Sequence, residues 1–287
     1  MKQHRTIWMI TGCVVLVAAV VLSARQAIAP RTEPKRPPVL ITSPHQAEVL
    51  VEAMLACLDT DPRARRVMTR RFVEAAATLA EDASFESAET YYALGLRYYG
   101  RRKTHGSLRQ AEEAYREAIA RKPDWSMAHN ALGIVLHSMG RTEEAEESFR
   151  TAIRLAPDWS RPHNDLAILF RLSGRLEEAQ EEALVALRLE PDSVAAHNNY
   201  GNLLVELGRL DEAEATYDRA RHLEPDQPAP YYNLACLASI RGNIENALAF
   251  LNCAIALDET YREEAKGEED FGPLRSVHDF RRLVYGE

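Results

Sequence analysis

Residues 126–159, SMAHNALGIVLHSMGRTEEAEESFRTAIRLAPDW, run directly into residues 160–193, SRPHNDLAILFRLSGRLEEAQEEALVALRLEPDS. Set one above the other, these two segments of 34 residues share their punctuation, and the same spacing continues on both sides. Pro123, Pro157, Pro191 and Pro225 form one column; Gly140, Gly174, Gly208 and Gly242 form a second. Four more keep the same phase: Leu132, Leu166, Tyr200 and Leu234; Gly133, Ala167, Gly201 and Ala235; Ala145, Ala179, Ala213 and Ala247; Ala152, Ala186, Ala220 and Ala254. A fixed period of this length marks a stack of identical supersecondary units.

Each column has a mechanical role in a helix-turn-helix unit. Glycine supplies the left-handed residue that closes the first helix, and proline stops the second from continuing. Small residues in the Gly133 and Ala145 columns let two antiparallel helices approach closely. Larger ones at Leu132, Phe149 and Ile153 fill the space between hairpins. One hairpin cannot bury such a face, so its stability must come from stacked neighbours.

The succession of small residue, glycine turn, alanine, aromatic, alanine and proline resembles the tetratricopeptide repeat (TPR). The resemblance covers Ala88 to about Tyr261 and divides into five repeats at 88–125, 126–159, 160–193, 194–227 and 228–261. It implies an all-α fold, a right-handed superhelical solenoid of antiparallel hairpins. The first repeat carries four extra residues in its turn, around Arg101-Arg102-Lys103, and the fifth has Glu259 where the closing proline is due. Before the array, Ser43-Pro44-His45-Gln46 has capping-box form and Asp61-Pro62 a second helix start, which predicts a helical hairpin over 45–87. After it, 262–287, with Phe271, Phe280 and Leu283, reads as a capping helix over the last apolar face.

The amino terminus is of another kind. Behind a short basic tail, Ile7 to Ala24 is an uncharged run of eighteen residues, just long enough to span a bilayer, which needs about 20 at a rise of 1.5 Å. We expect an anchor at 7–24 within 1–29, followed by a stiff proline-rich linker over 30–44. Ala27-Ile28-Ala29 leaves a cleaved signal peptide open, and Ile10-Thr11-Gly12-Cys13 a lipid attached to Cys13. Lys2 and Arg5 face Arg25, Arg31, Lys35 and Arg36 across the run, so flanking charge alone does not orient it. A short basic tail resists translocation, which favours repeats on the extracytoplasmic side. Arg63, Arg66 and Arg70 share a helical spacing, most simply as a solvated face, with lipid headgroups as the alternative.

Composition narrows the function. The apolar fraction of 46% supports a packed core, and 43 acidic against 35 basic residues oppose a nucleic-acid backbone. Cys13, Cys57, Cys236 and Cys253 form no C-x-x-C pair and are expected as small buried residues. His129, His163 and His197 fall in one column, but helices pack about 8–10 Å apart. Nitrogens sharing one zinc lie far closer than that. Acid runs at Glu143-Glu144 and Glu177-Glu178 recur on second helices as a solvated face. No catalytic motif is legible, and neither a cofactor nor a small-molecule substrate is expected.

What the resemblance implies is a concave groove, lined by first helices, that holds peptides. Its columns here include Asn130, Asn164, Asn198 and Tyr232, with Asn202 and Arg171 further along. Asn199 and Asn233 match the asparagine ladder of sugar-transferase TPR superhelices, which Ala131 and Asp165 leave incomplete. Arg171 stands nearly alone, so the family's carboxylate clamp is not expected. The sequence thus predicts a membrane-anchored scaffold or adaptor for protein or peptide partners, serving assembly of membrane or envelope complexes. A cytoplasm-facing docking receptor is the alternative, and an enzyme with an undetected site is the reading from another class.

Overall fold

The structure, a computed structural model, describes residues 87–100 and 104–287. The expected anchor at 7–24, the linker and the hairpin at 45–87 lie outside the described residues, save for Ser87. Among the described residues every regular element is helical, and no helix is long and apolar enough to cross a membrane. Helices α1 (Ala88–Gly100), α2 (His105–Arg121), α3 (Ser126–Ser138) and α4 (Thr142–Leu155) come first. Then follow α5 (Ser160–Leu172), α6 (Leu176–Leu189), α7 (Val194–Glu206), α8 (Leu210–Leu223), α9 (Pro228–Ile240) and α10 (Ile244–Leu257). The tail forms α11 (Thr260–Gly267), a 3-10 turn (Glu269–Leu274) and α12 (His278–Tyr285).

The glycine column does what its position requires. Gly140, Gly174, Gly208 and Gly242 have φ between +73° and +76°. At each, the next amide reaches back to a carbonyl of the first helix: Arg141 to Leu136, Arg175 to Phe170, Arg209 to Leu204, Asn243 to Ala238, at 2.8–3.0 Å. These are the bonds of a left-handed helix cap. In the fifth repeat, where proline is missing, α10 stops at Leu257 because the Asp258 carboxylate accepts both the Thr260 amide (3.0 Å) and its hydroxyl (2.8 Å). This local turn replaces the proline.

The chain divides after Ser148 into two compact units. In the first, α1 and α2 pack as an antiparallel pair with Gly95 against the ring of buried Tyr115. The Thr104 side chain caps α2 in a reciprocal box with Ser107. Tyr92 stacks at a tilt on Tyr115 and on Trp125, with centroids 5.5 and 4.7 Å apart. Arg141 bonds both Glu112 (2.7 Å) and Glu144 (2.6 Å), and Arg116 reaches the same two carboxylates, so the acids of the second helices are tied to the turn arginine. Glu143 remains exposed.

In the second unit α5 pairs with α6, α7 with α8 and α9 with α10. Ala179, Ala186, Ala213, Ala220, Ala247 and Ala254 are fully buried where partner helices touch. Arg175 and Arg209 hold Glu178 and Glu212 as Arg141 holds Glu144. Arg209 also bonds Gln180 (3.0 Å), while Arg241 reaches Asp211 and Glu214. The tail closes the end of this unit. Phe271, Leu274, Phe280 and Val284 join the core of α9 and α10, and all four are buried. The single capping helix expected over 262–287 is instead interrupted, with Gly272 and Pro273 inside the 3-10 turn. Cys236 is buried, whereas Cys253, expected inside, is exposed; both are free thiols.

Candidate functional site

The first helices α5, α7 and α9 lie side by side in the second unit, joined by bonds between asparagines. Asn199 donates its side-chain amide to Asn164 Oδ1 at 3.0 Å, and Asn233 donates to Asn198 Oδ1 at 3.4 Å. Two sequence columns thus meet, each asparagine bonding one in the next repeat. Each bond uses one polar atom of each amide and leaves the other without a partner among the described residues. Asn202, one turn beyond Asn198 and Asn199, accepts the Tyr217 hydroxyl at 2.6 Å through Oδ1, and its amide nitrogen has no partner among the described residues. Asn130 is buried on α3 of the first unit.

Arg171, in the last turn of α5, donates through Nη1 to Glu206 at the end of α7. Its Nε is buried without a partner among the described residues. The charge of Arg171 is therefore already met by Glu206. Beyond it lies Tyr232 of α9, whose ring packs on Tyr261 (4.9 Å) and edge-on to Phe271 (5.7 Å). The 3-10 turn is held against α9 by the Ser239 hydroxyl, which donates to the Asp270 carbonyl at 2.6 Å.

The titratable groups record that environment. Burial first, then Cys236, Glu268 and Glu264, pushes the Tyr232 phenol up; burial, then Glu268 and Asp270, does the same to the Cys236 thiol. The Tyr217 phenol is also raised, mainly by burial, with Arg171 opposing and Asp270 and Glu206 adding. Asp270 is raised by burial and then by Glu268 and Glu269.

The histidine column has a structural explanation. His129 Nε2 bonds the Pro123 carbonyl and His197 Nε2 the Pro191 carbonyl, both at 2.9 Å, and Tyr231 does the same for Pro225 at 3.1 Å. His163 instead pairs with Glu182 through Nδ1 at 2.6 Å. Three of these four side chains fasten a first helix to the proline turn that precedes it.

Sequence reasoning named Asn130, Asn164, Asn198, Asn199, Asn202, Asn233, Arg171 and Tyr232; Asn130 lies in the first unit and the other seven lie in the second. It missed Glu206, Tyr217, Glu264, Glu268 and Asp270. The only available signal was the acidic run Glu263-Glu264 followed by Glu268-Glu269-Asp270, which does not reveal where a non-repetitive tail folds back.

Comparison with known proteins agrees with this architecture. The family model for the tetratricopeptide repeat matches residues 101–158, 164–230 and 201–261, more than half of the chain. The chain belongs to the tetratricopeptide repeat family. No curated protein matches it. Its fold is similar to that of TTC0263, a thermophilic TPR protein of Thermus thermophilus, at 24% identity and a TM-score of 0.56, over 63% of this chain and 98% of that one. It is also similar to Pseudomonas aeruginosa pilF (20% identity, TM-score 0.52, 79% and 100% covered). A third similar structure is PilW, described as a widely conserved type IV pilus biogenesis factor (18% identity, TM-score 0.53, 69% and 98% covered).

Proposed function

We propose that this chain is a non-catalytic protein-interaction scaffold that holds a segment of a partner protein on the first-helix face. The observation that carries the reading is the row of polar groups left over on that face. Asn164, Asn198, Asn199, Asn202 and Asn233 each keep an unused amide atom, and Arg171 keeps a buried Nε with no partner among the described residues. A peptide in extended form offers one N–H and one C=O per residue. A row of amide donors and acceptors repeating from helix to helix suits that supply, and a buried donor without a partner costs about 1–3 kcal/mol until one arrives. Asn164, Asn199, Asn198 and Asn233 also brace the helices, so substituting them would change stability and binding together.

Crosslinking avoids that ambiguity. A photoreactive amino acid in place of Asn202 should capture partners in native membranes, while the same group at Glu177, exposed on a second helix, should not. Capture from Glu177 and none from Asn202 would move the site to the second-helix face.

The reading extends to an anchor at 7–24, repeats on the extracytoplasmic side and a role in assembling membrane or envelope complexes. It is supported by the uncharged run itself and by the similarity of fold to a type IV pilus biogenesis factor. A reporter that works only outside the cytoplasm, fused after Glu287, should be active. Activity from a cytoplasm-only reporter would favour the docking receptor.

A further inference from the structure

Between α1 and α2 the first hairpin carries an open groove of about 570 Å³, whose lining includes Tyr91, Leu94 and Tyr98 of α1 and Ala114 of α2. The three residues of α1 stand three and four apart and share one face of the helix. The later hairpins show what that face is for. Counted from the helix start, Leu94 and Tyr98 take the places of Leu132 and Leu136 on α3, Leu166 and Phe170 on α5, and Leu234 and Ala238 on α9. All six of those are buried. On α7 the same places hold Leu204, which is buried, and Tyr200, which packs against it. Leu234 shares a core cluster with Leu204, Ala213 and Tyr217 of the hairpin before it. This is therefore the face on which a hairpin receives its predecessor. On α1, Leu94 and Tyr98 stay partly exposed.

We propose that the groove is filled by residues 61–80 of the same chain, seated through Met68, Phe72, Ala75, Ala76 and Leu79. These residues lie outside the described residues, and their spacing and their tether point to this site. Steps of four, three, one and three residues put all five on one apolar stripe of a helix. At 3.6 residues per turn, Arg63, Arg66 and Arg70 fall on the opposite side of that helix, toward water. Such a helix needs a partner for its stripe, and the first hairpin lacks the neighbour that every later hairpin has. Residues 80–87 join Leu79 to Ala88, a connection that reaches at most about 30 Å. A second copy or a foreign apolar helix must compete with a segment tethered at an effective concentration on the order of millimolar. The groove is then closed to partners, and this inference stands independently of the asparagine row.

The test uses the full chain in detergent with p-benzoylphenylalanine in place of Phe72, mixed with an equal amount of the same chain labelled with nitrogen-15. After irradiation, mass spectrometry should find position 72 linked to peptides of α1 or α2, with both halves of each linked pair carrying the same isotope. The same group in place of Arg66 should give at most a tenth of that yield. In the chain without the photoreactive group, backbone amides over 67–79 should be protected from hydrogen exchange. Leu94→Glu should cut that protection tenfold or more while α5 to α10 keep theirs. Links of mixed isotope would make a second copy the occupant and overturn the proposal. So would equal yields from positions 66 and 72, no link to α1 or α2, or protection over 67–79 that survives Leu94→Glu.

Discussion

Gly201→Ala should lower the melting temperature by several degrees, although alanine is the better helix former. A Cβ at position 201 would lie 2.4, 2.7 and 2.8 Å from Cε1, Cδ1 and Cζ of Tyr217. Carbon atoms in good contact sit about 3.5–4.0 Å apart. The tyrosine cannot retreat easily, being 2% exposed with its hydroxyl bound to Asn202 at 2.6 Å. The helix-propensity gain is about 1 kcal/mol, and overpacking costs about 1–3 kcal/mol or more, so the clash wins. At about 2–4 °C per kcal/mol for a chain of this size the loss is measurable by thermal melts.

The neighbouring repeat supplies the control. One period on, the pair is Ala235 with Leu251, both buried. Tyr217→Leu alone should also destabilise, through a cavity and the lost bond to Asn202. In the double variant Gly201→Ala/Tyr217→Leu the two defects fill each other, so the chain should be more stable than the sum of the single losses by about 0.5–3 kcal/mol. Strict additivity in that cycle would show that the two positions do not share one space. Gly95 and Tyr115 repeat the arrangement in the first unit, with a Cβ also 2.4 Å from the ring.

This pair shows what could be read from the sequence. The glycine and alanine columns could be interpreted because each obeys one local rule, a left-handed turn or a close helix approach, and the rule recurs every 34 residues. The covariation of Gly201 with Tyr217 and Ala235 with Leu251 was visible only as two separate columns, since pairing them needs the rotation of both helices. The asparagine bonds were hidden by the period itself. Asn164 meets Asn199, and Asn198 meets Asn233, across 35 residues, so a search for equivalent positions aligns the wrong partners. His129 and His197, in a column whose spacing already spoke against a shared metal, were given no partner by the sequence; they bond proline carbonyls. Tyr232 was named for its column alone. Phe271, which it meets edge-on, belongs to a segment outside the repeat, where no period constrains the path of the chain.

That segment carries the largest expected loss. Phe271 and Phe280 are fully buried, centroids 5.7 Å apart, and Phe271 also packs edge-on to Tyr232. Truncating either to alanine should cost about 3–5 kcal/mol. Tyr285→Ala, an aromatic loss on the same helix as Phe280 but 43% exposed, should cost far less. Because each hairpin of a repeat array leans on its neighbours, the damage should start in the last repeat and fade along the chain. Hydrogen exchange of Phe271→Ala should therefore show protection lost first over 228–285, while α5 and α6 stay protected. Uniform loss, or none, would mean that the tail does not act as the closing face of the last hairpin.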